Sequence, residues 1–436
     1  MPRVSRAAHK LGNLLPAVHG MRRASAESVS IGLLGQGTLV ISGVLLARLL
    51  GPQDRGYVAL LMLWPIVIAK VGELGVPTAA AYYIAREPKS FSNIVRLVGR
   101  IAKRQVPLLL LCHLLILVAF LKGKPGIVVN AAVLTLVGVP AAMAVDYGLT
   151  LLQGQRRFGT LNALRMVNAT VVCAGLLILL VTHKTSLVSA VAVLMLALSA
   201  SGAAFLVAAL SFGRPRTPGD GSTSIRDLVR FGLQGLLGST YPVDTFRIDQ
   251  MVVGLFLSST ALGLYVVGIA FTNLPMLISQ SLAYVAYPGV AAQADHRQRR
   301  RTQWQFFLLF GVVSVAIVAV LEASVAILIP WFFGTQFAPS IGIARIALVG
   351  ALVLSARRIL AETLRGAGYP AAGTFAEIAL LAVLIPAMVV GGHYWGAEGI
   401  AAAVLMAGVA SLAVLTAFEA RTMTKSEDQL VPVDAS

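Results

Sequence analysis

Apolar runs long enough to cross a bilayer alternate with short polar connections along the chain. A helix needs roughly 20 mostly apolar residues to span the hydrocarbon core. The pattern predicts about twelve spans, at 28–49, 57–84, 106–122, 126–153, 160–182, 186–211, 228–257, 261–291, 305–333, 341–364, 372–391 and 396–419. Glycines and prolines interrupt the pattern within 57–84 and 372–419, so the cuts there are the loosest. The fold class this predicts is all-α and integral to a membrane.

Composition agrees: 57% of the residues are hydrophobic and 12% charged, where a soluble domain carries about a quarter charged. The net charge of +17 does not call for nucleic acid, because its placement explains it. Twenty-four of the 35 Lys and Arg fall on alternate connections and the two ends, and five on the opposite connections. By the positive-inside rule both ends face the cytoplasm, which requires an even number of spans. The segment 1–27 is basic and lacks the apolar core of a cleavable leader, so the first hydrophobic run is expected to stay as an anchor. Met21, before Arg22 and Arg23, is an alternative start.

The chain also repeats itself. LLGPQDRGY at 49–57 has its counterpart in FLSSTALGLY at 256–265, with Gly56 matching Gly263. Pro65 and Pro77 find Pro275 and Pro288, and LLQG at 151–154 finds TLRG at 363–366. Each half holds six spans and enters from the same side, the pattern of parallel repeats with a substrate site between them near the midplane. The expected organisation is a basic cytoplasmic segment at 1–27, a six-helix lobe at 28–211, a cytoplasmic linker at 212–227, a second six-helix lobe at 228–421 and a polar, disordered cytoplasmic tail at 422–436.

Charges inside the spans carry the candidate chemistry, since charge in hydrocarbon is costly and usually faces protein or a water-filled interior. The stretch Tyr241–Tyr265 sets Asp244, Arg247 and Asp249 in an otherwise apolar segment. Lys70, Arg165, Arg345, Arg357 and Arg358 are further cations in or near spans, and Glu73, Asp146, Glu322, Glu362, Glu377 and Glu419 further acids. Pro65, Pro77, Pro275 and Pro288 are read as kinks or gating points in the second and eighth spans, because proline removes a backbone hydrogen bond. Cys112 and Cys173 lie in apolar runs and form no CxxC motif. The six histidines are scattered, and GLLGQG at 32–37 lacks the Lys-Ser/Thr ending of a phosphate loop. No metal site, nucleotide site or catalytic motif is expected.

Four stretches together carry a resemblance: residues 35–85 from GQGTLVISG to AAAYYIA, RIDQMVVGLFLSSTALGLYVVG at 247–268, WFFGTQFAPS at 331–340 and RGAGYPAAG at 365–373. In order and spacing the chain resembles the polysaccharide-biosynthesis flippases of the multidrug/oligosaccharidyl-lipid/polysaccharide (MOP) exporter superfamily, over roughly residues 28–420. The resemblance implies a MATE-like fold of two six-helix lobes around a central cavity. It also implies a bacterial inner (plasma) membrane protein that moves undecaprenyl-pyrophosphate-linked oligosaccharide from the inner to the outer leaflet by alternating access, for a surface polysaccharide such as lipopolysaccharide or exopolysaccharide. Glycosyltransferases and a polysaccharide polymerase are the partners such a role implies, and a proton or sodium gradient its driving force.

A guanidinium binds pyrophosphate oxygens through paired, charge-assisted hydrogen bonds. Arg247 and Arg358, with Arg357 and Arg365 nearer the cytoplasm, are the candidates for that contact. Arg247 has an alternative as a structural partner of Asp244 or Asp249. Glu73, Asp146, Asp244 and Asp249 are candidates for ion coupling or a charge network, or else join helices by hydrogen bonds. A cation-coupled multidrug exporter and a lipid II flippase are the competing transport readings. A membrane-embedded glycosyltransferase would need a large outward loop, and all outward connections here are short.

Overall fold

The computed structural model describes residues 3–212, 223–239, 242–280, 290, 296–367 and 369–428, which are helical or in short turns, with no strand among them. In chain order the helices are α1 (Arg3–Gly72), α2 (Val76–Arg86), α3 (Phe91–Phe120), α4 (Gly126–Leu134), α5 (Gly138–Gly154), α6 (Phe158–Val181), α7 (Leu187–Phe212) and α8 (Ile225–Ser239). There follow α9 (Pro242–Phe246), α10 (Ile248–Phe256), α11 (Ser259–Ala270), α12 (Asn273–Gln280), α13 (His296–Phe333), α14 (Ser340–Gly366) and α15 (Pro370–Asp428). Among the described residues seven helices are long and apolar enough to cross a membrane, or eight if α11 and α12 form one bent span. The protein is therefore a multi-pass, all-helical membrane protein.

Glycine sets the breaks in the longest helices. In α1 Gly51 takes φ 71°, ψ 177°, and in α15 Gly396 takes φ 56°, ψ −133°, regions that a side chain disfavours. The two limbs of α15 fold back on each other, since Gly391 and Gly399 lie so close that a Cβ on either would overlap the other's backbone. One 59-residue helix thus supplies two spans, consistent with the predicted 372–391 and 396–419. The segment predicted as one span at 57–84 is likewise broken, by Leu74 (φ 52°) and Gly75 (φ 69°) between α1 and α2.

Several expected elements differ. The predicted 106–122 span starts earlier, at Phe91, because Ile94, Leu97, Val98 and Ile101 recur at helical spacing and are buried. Farther along α3, Leu108, Leu111, Leu115 and Val118 form an exposed apolar stripe suited to lipid. The segment 228–257 is three helices, α8, α9 and α10. The tail expected to be disordered from 422 is helical as far as Asp428, and α1 begins at Arg3, ahead of the first expected span; 429–436 lie outside the described residues, as do 213–222 of the expected linker.

Packing divides the chain into two compact units, one of Met1–Leu49 with Leu61–Thr240 and the other of Leu50–Leu60 with Tyr241–Ser436. Each half of the sequence therefore lends the other a segment relative to the expected 28–211 and 228–421 lobes. In the first unit α5 meets α7 at Gly148, which abuts the Phe205 backbone, and Gly202, which abuts the Ala141 carbonyl. Small residues let membrane helices approach this closely. In the second unit α14 packs on α11, α13 and α15.

α8 starts with a reciprocal cap. The Ser224 amide and hydroxyl donate to Asp227 Oδ2 at 2.9 and 2.6 Å, and the Asp227 amide donates back to Ser224 Oγ at 3.3 Å. Those hydrogen bonds hold the Asp227 carboxyl below the usual carboxylate range. Their stabilisation is thus present at neutral pH and lost as pH falls through the lowered pKa. Ser224→Ala should cost about 1 kcal/mol of local helix stability, seen as faster amide exchange in the first turn of α8. Unchanged exchange would remove the cap from this account.

Candidate functional site

In the first unit, charged groups converge where α1 ends. The left-handed Leu74 and Gly75 stop the helix, and Gly75 is fixed by its approach to Gly232 on α8, where a Cβ on either glycine would overlap the other segment's backbone. This turn buries Glu73, which is 2% exposed. One turn earlier, Lys70 reaches α5 and places Nζ 3.0 Å from Asp146 Oδ2. The Glu73 Oε1 is buried and makes no hydrogen bond. Behind them the Tyr147 hydroxyl donates to Gln105 Oε1 at 2.9 Å, and Gln105 Nε2 donates to the Gly72 carbonyl at 3.0 Å. That last bond satisfies one of the carbonyls a helix leaves open at its C-terminus.

In the second unit the break between α9 and α10 is made by Arg247, whose backbone is left-handed at φ 48°, ψ 48°. A non-glycine residue held there is uncommon and costs about 1–3 kcal/mol. The Arg247 side chain is exposed. In the same unit Arg55 is half-buried, and its Nε is buried without a hydrogen bond. Two residues after Arg247, Asp249 is 6% exposed and accepts the hydroxyl proton of the buried Tyr265 at 2.8 Å. The Asp244 side chain lies outside the described ones.

The other three arginines put forward for pyrophosphate are all on α14. Arg357 is buried and ion-paired. Its side chain is 5% exposed, with Nη1 2.6 Å from Glu377 Oε1 and donating to Ser411 Oγ at 3.2 Å. Ser411 in turn donates to the Ala376 carbonyl at 2.7 Å, so one guanidinium ties α14 to both limbs of α15. Arg358 is buried, and Arg365 pairs with Glu362 one turn back at 3.2 Å.

The prolines also sort differently. Pro77 lies in the first turn of α2, where its missing N–H costs nothing, so it starts a helix and kinks none. Pro65 lies within α1, whose non-helical residue is Gly51. Pro275 follows the 49° bend between α11 and α12, and Pro288 lies outside the described residues.

Among the described residues no three His, Cys, Asp or Glu gather as metal ligands.

The sequence pattern of the polysaccharide biosynthesis protein family matches residues 45–342. A multidrug resistance MATE family transporter of the MOP superfamily, solved inward-facing, superposes with a TM-score of 0.70 at 15% identity, covering 93% of this chain and 99% of its own. The lipid II flippase MurJ, in an inward closed conformation, gives 0.71 at 14% identity, covering 91% and 87%. A MATE transporter of Vibrio cholerae gives 0.57 at 16% identity, covering 92% and 98%. Identities this low speak for the fold. No curated protein matches.

Proposed function

The chain belongs to the polysaccharide biosynthesis protein family, and from that membership we propose that it is a flippase. It carries undecaprenyl-pyrophosphate-linked oligosaccharide from the inner to the outer leaflet of a bacterial plasma membrane by alternating access. Both termini face the cytoplasm, on the distribution of Lys and Arg. Glycosyltransferases supply the cargo and a polymerase consumes it on the far side. The protein makes and breaks no covalent bond, and the MATE and MurJ fold supports a carrier.

The observation that carries the reading is Arg247, exposed and left-handed at the break between α9 and α10. Discontinuous membrane helices build substrate sites, and the N-terminal end of a half-helix favours an anion. A guanidinium at that end meets pyrophosphate oxygens through paired, charge-assisted hydrogen bonds.

The test is transbilayer movement of a fluorescent undecaprenyl-pyrophosphate oligosaccharide in proteoliposomes. Arg247→Ala should slow flipping about ten- to hundredfold, the loss of one charge-assisted hydrogen bond of about 1.5–3 kcal/mol, and Arg247→Lys should recover part of the rate. Normal movement by a well-expressed Arg247→Ala variant would refute the assignment. Transport of a cationic dye in place of the lipid would point to the multidrug reading, and preference for lipid II to the cell-wall one.

A further inference from the structure

We infer that the open side of α8 binds an anionic phospholipid of the cytoplasmic leaflet, its headgroup on Arg226 and Arg230 and an acyl chain along Ile225, Val229 and Leu233. The inference goes beyond the flippase reading and needs no cargo. Positions four apart stack on one helical face, and α8 sorts its residues into rows accordingly. Leu228 and Gly232 form the buried row. Gly232 abuts the Leu74–Gly75 turn, and Phe231 stacks on Tyr82 of α2 with ring centroids 4.4 Å apart, so α2 covers this side. In the next row Ile225 and Leu233 are 37% and 39% exposed, with Val229 half-buried between them. Arg226, Arg230 and Gln234 make the third row, all exposed. The apolar and basic rows border one groove of about 710 Å³, whose wall carries all six of these side chains. Asp227 lies off that wall, and its Oδ2 is taken by the Ser224 amide and hydroxyl.

The occupant follows from the pairing of these rows. A helix with apolar and basic rows side by side is the form that lies along an anionic membrane surface. α8 follows the linker, which the Lys and Arg distribution puts in the cytoplasm, so its first turns lie at the headgroups and Leu233 lies deepest. From Ile225 to Leu233 the apolar row rises about 12 Å, long enough to hold a stretch of acyl chain, and an arginine stem reaches back to the interface. Each basic residue at the cytoplasmic surface favours an anionic lipid about fivefold, and the pair about twenty-five-fold. That factor selects among lipids present throughout the leaflet, but it is too small to retain a scarce one. The magnitude therefore decides for a bilayer phospholipid over a diphosphate-linked cargo.

The test reconstitutes the full chain in phosphatidylcholine vesicles that contain phosphatidylglycerol with a diazirine on one acyl chain, or phosphatidylcholine with the same labelled chain. After irradiation, peptide mass spectrometry reads the label on α8. Phosphatidylglycerol should label α8 more than phosphatidylcholine by about the factor above at low salt, with the excess shrinking at high salt as the exposed charges are screened. Arg226→Gln together with Arg230→Gln should bring phosphatidylglycerol down to the phosphatidylcholine level while the unfolding midpoint stays in place. Lysine at both positions should keep most of the preference, because the headgroup phosphate is met by charge. An unlabelled α8, equal labelling by the two lipids, or a preference that survives both Gln changes would each overturn the inference. So would displacement of the label by undecaprenyl diphosphate at amounts far below those of phosphatidylglycerol, which would make the groove a cargo site.

Discussion

Gly56→Ala should unfold the crossing between residues 50–60 and α11, lowering stability by about 2–3 kcal/mol, whereas Gly43→Ala should be neutral or stabilising. A Cβ on Gly56 would overlap the Ser259 carbonyl, and one on Gly263 would overlap the Pro52 carbonyl, so the two glycines are buried in each other's backbone turn. The obstruction is main chain on both sides. No side chain can rotate away, and relief requires the helices to separate, which places the cost at the upper end of the range for overpacking. A Cβ on Gly43 meets nothing within 4 Å, so there alanine adds only helix propensity, worth up to about 1 kcal/mol. Thermal unfolding of the two purified variants in the same detergent is the comparison. Equal midpoints would remove the crossing from the account of stability.

That contact was half legible. The repeat pairs Pro52 with Ser259 and Gly56 with Gly263 at one common offset, and those four residues are the ones that meet. Sequence similarity shows that two turns are built alike; only packing shows that they lie against each other. Hydrophobic period located a helix in every predicted span, because burial in lipid or protein demands apolar residues whatever the topology. It failed where one apolar run contains a break that needs left-handed backbone, at Leu74–Gly75 and at Arg247, since hydrophobicity carries no backbone information. Arg247 is the harder case, being a residue type that rarely takes that conformation. The pairing of Lys70 with Asp146 was out of reach, because those residues lie more than seventy apart in the chain and meet only once α1 packs beside α5.

Arg357 shows the same limit from the other side, and Arg357→Ala should cost about 3 kcal/mol of stability. A deep arginine reads from sequence as a binder of the anionic cargo, but here its guanidinium is consumed by Glu377 and Ser411. Removing one partner of a buried ion pair costs about 3–5 kcal/mol because the other charge is left without compensation. Glu377 is 21% exposed, and water reaching it brings the figure to the lower end. Arg357→Met together with Glu377→Met should recover most of the loss, since paired apolar replacements of similar volume are often neutral. A binding arginine behaves otherwise: its alanine variant keeps its unfolding midpoint and loses transport, and restoring charge balance by changing Glu377 does nothing for the rate. Midpoint and flipping rate measured on the single and double variants therefore separate the two roles. If Arg357→Ala unfolds like the wild type yet flips cargo slowly, the ion pair with Glu377 is incidental and Arg357 returns to the cargo site beside Arg247.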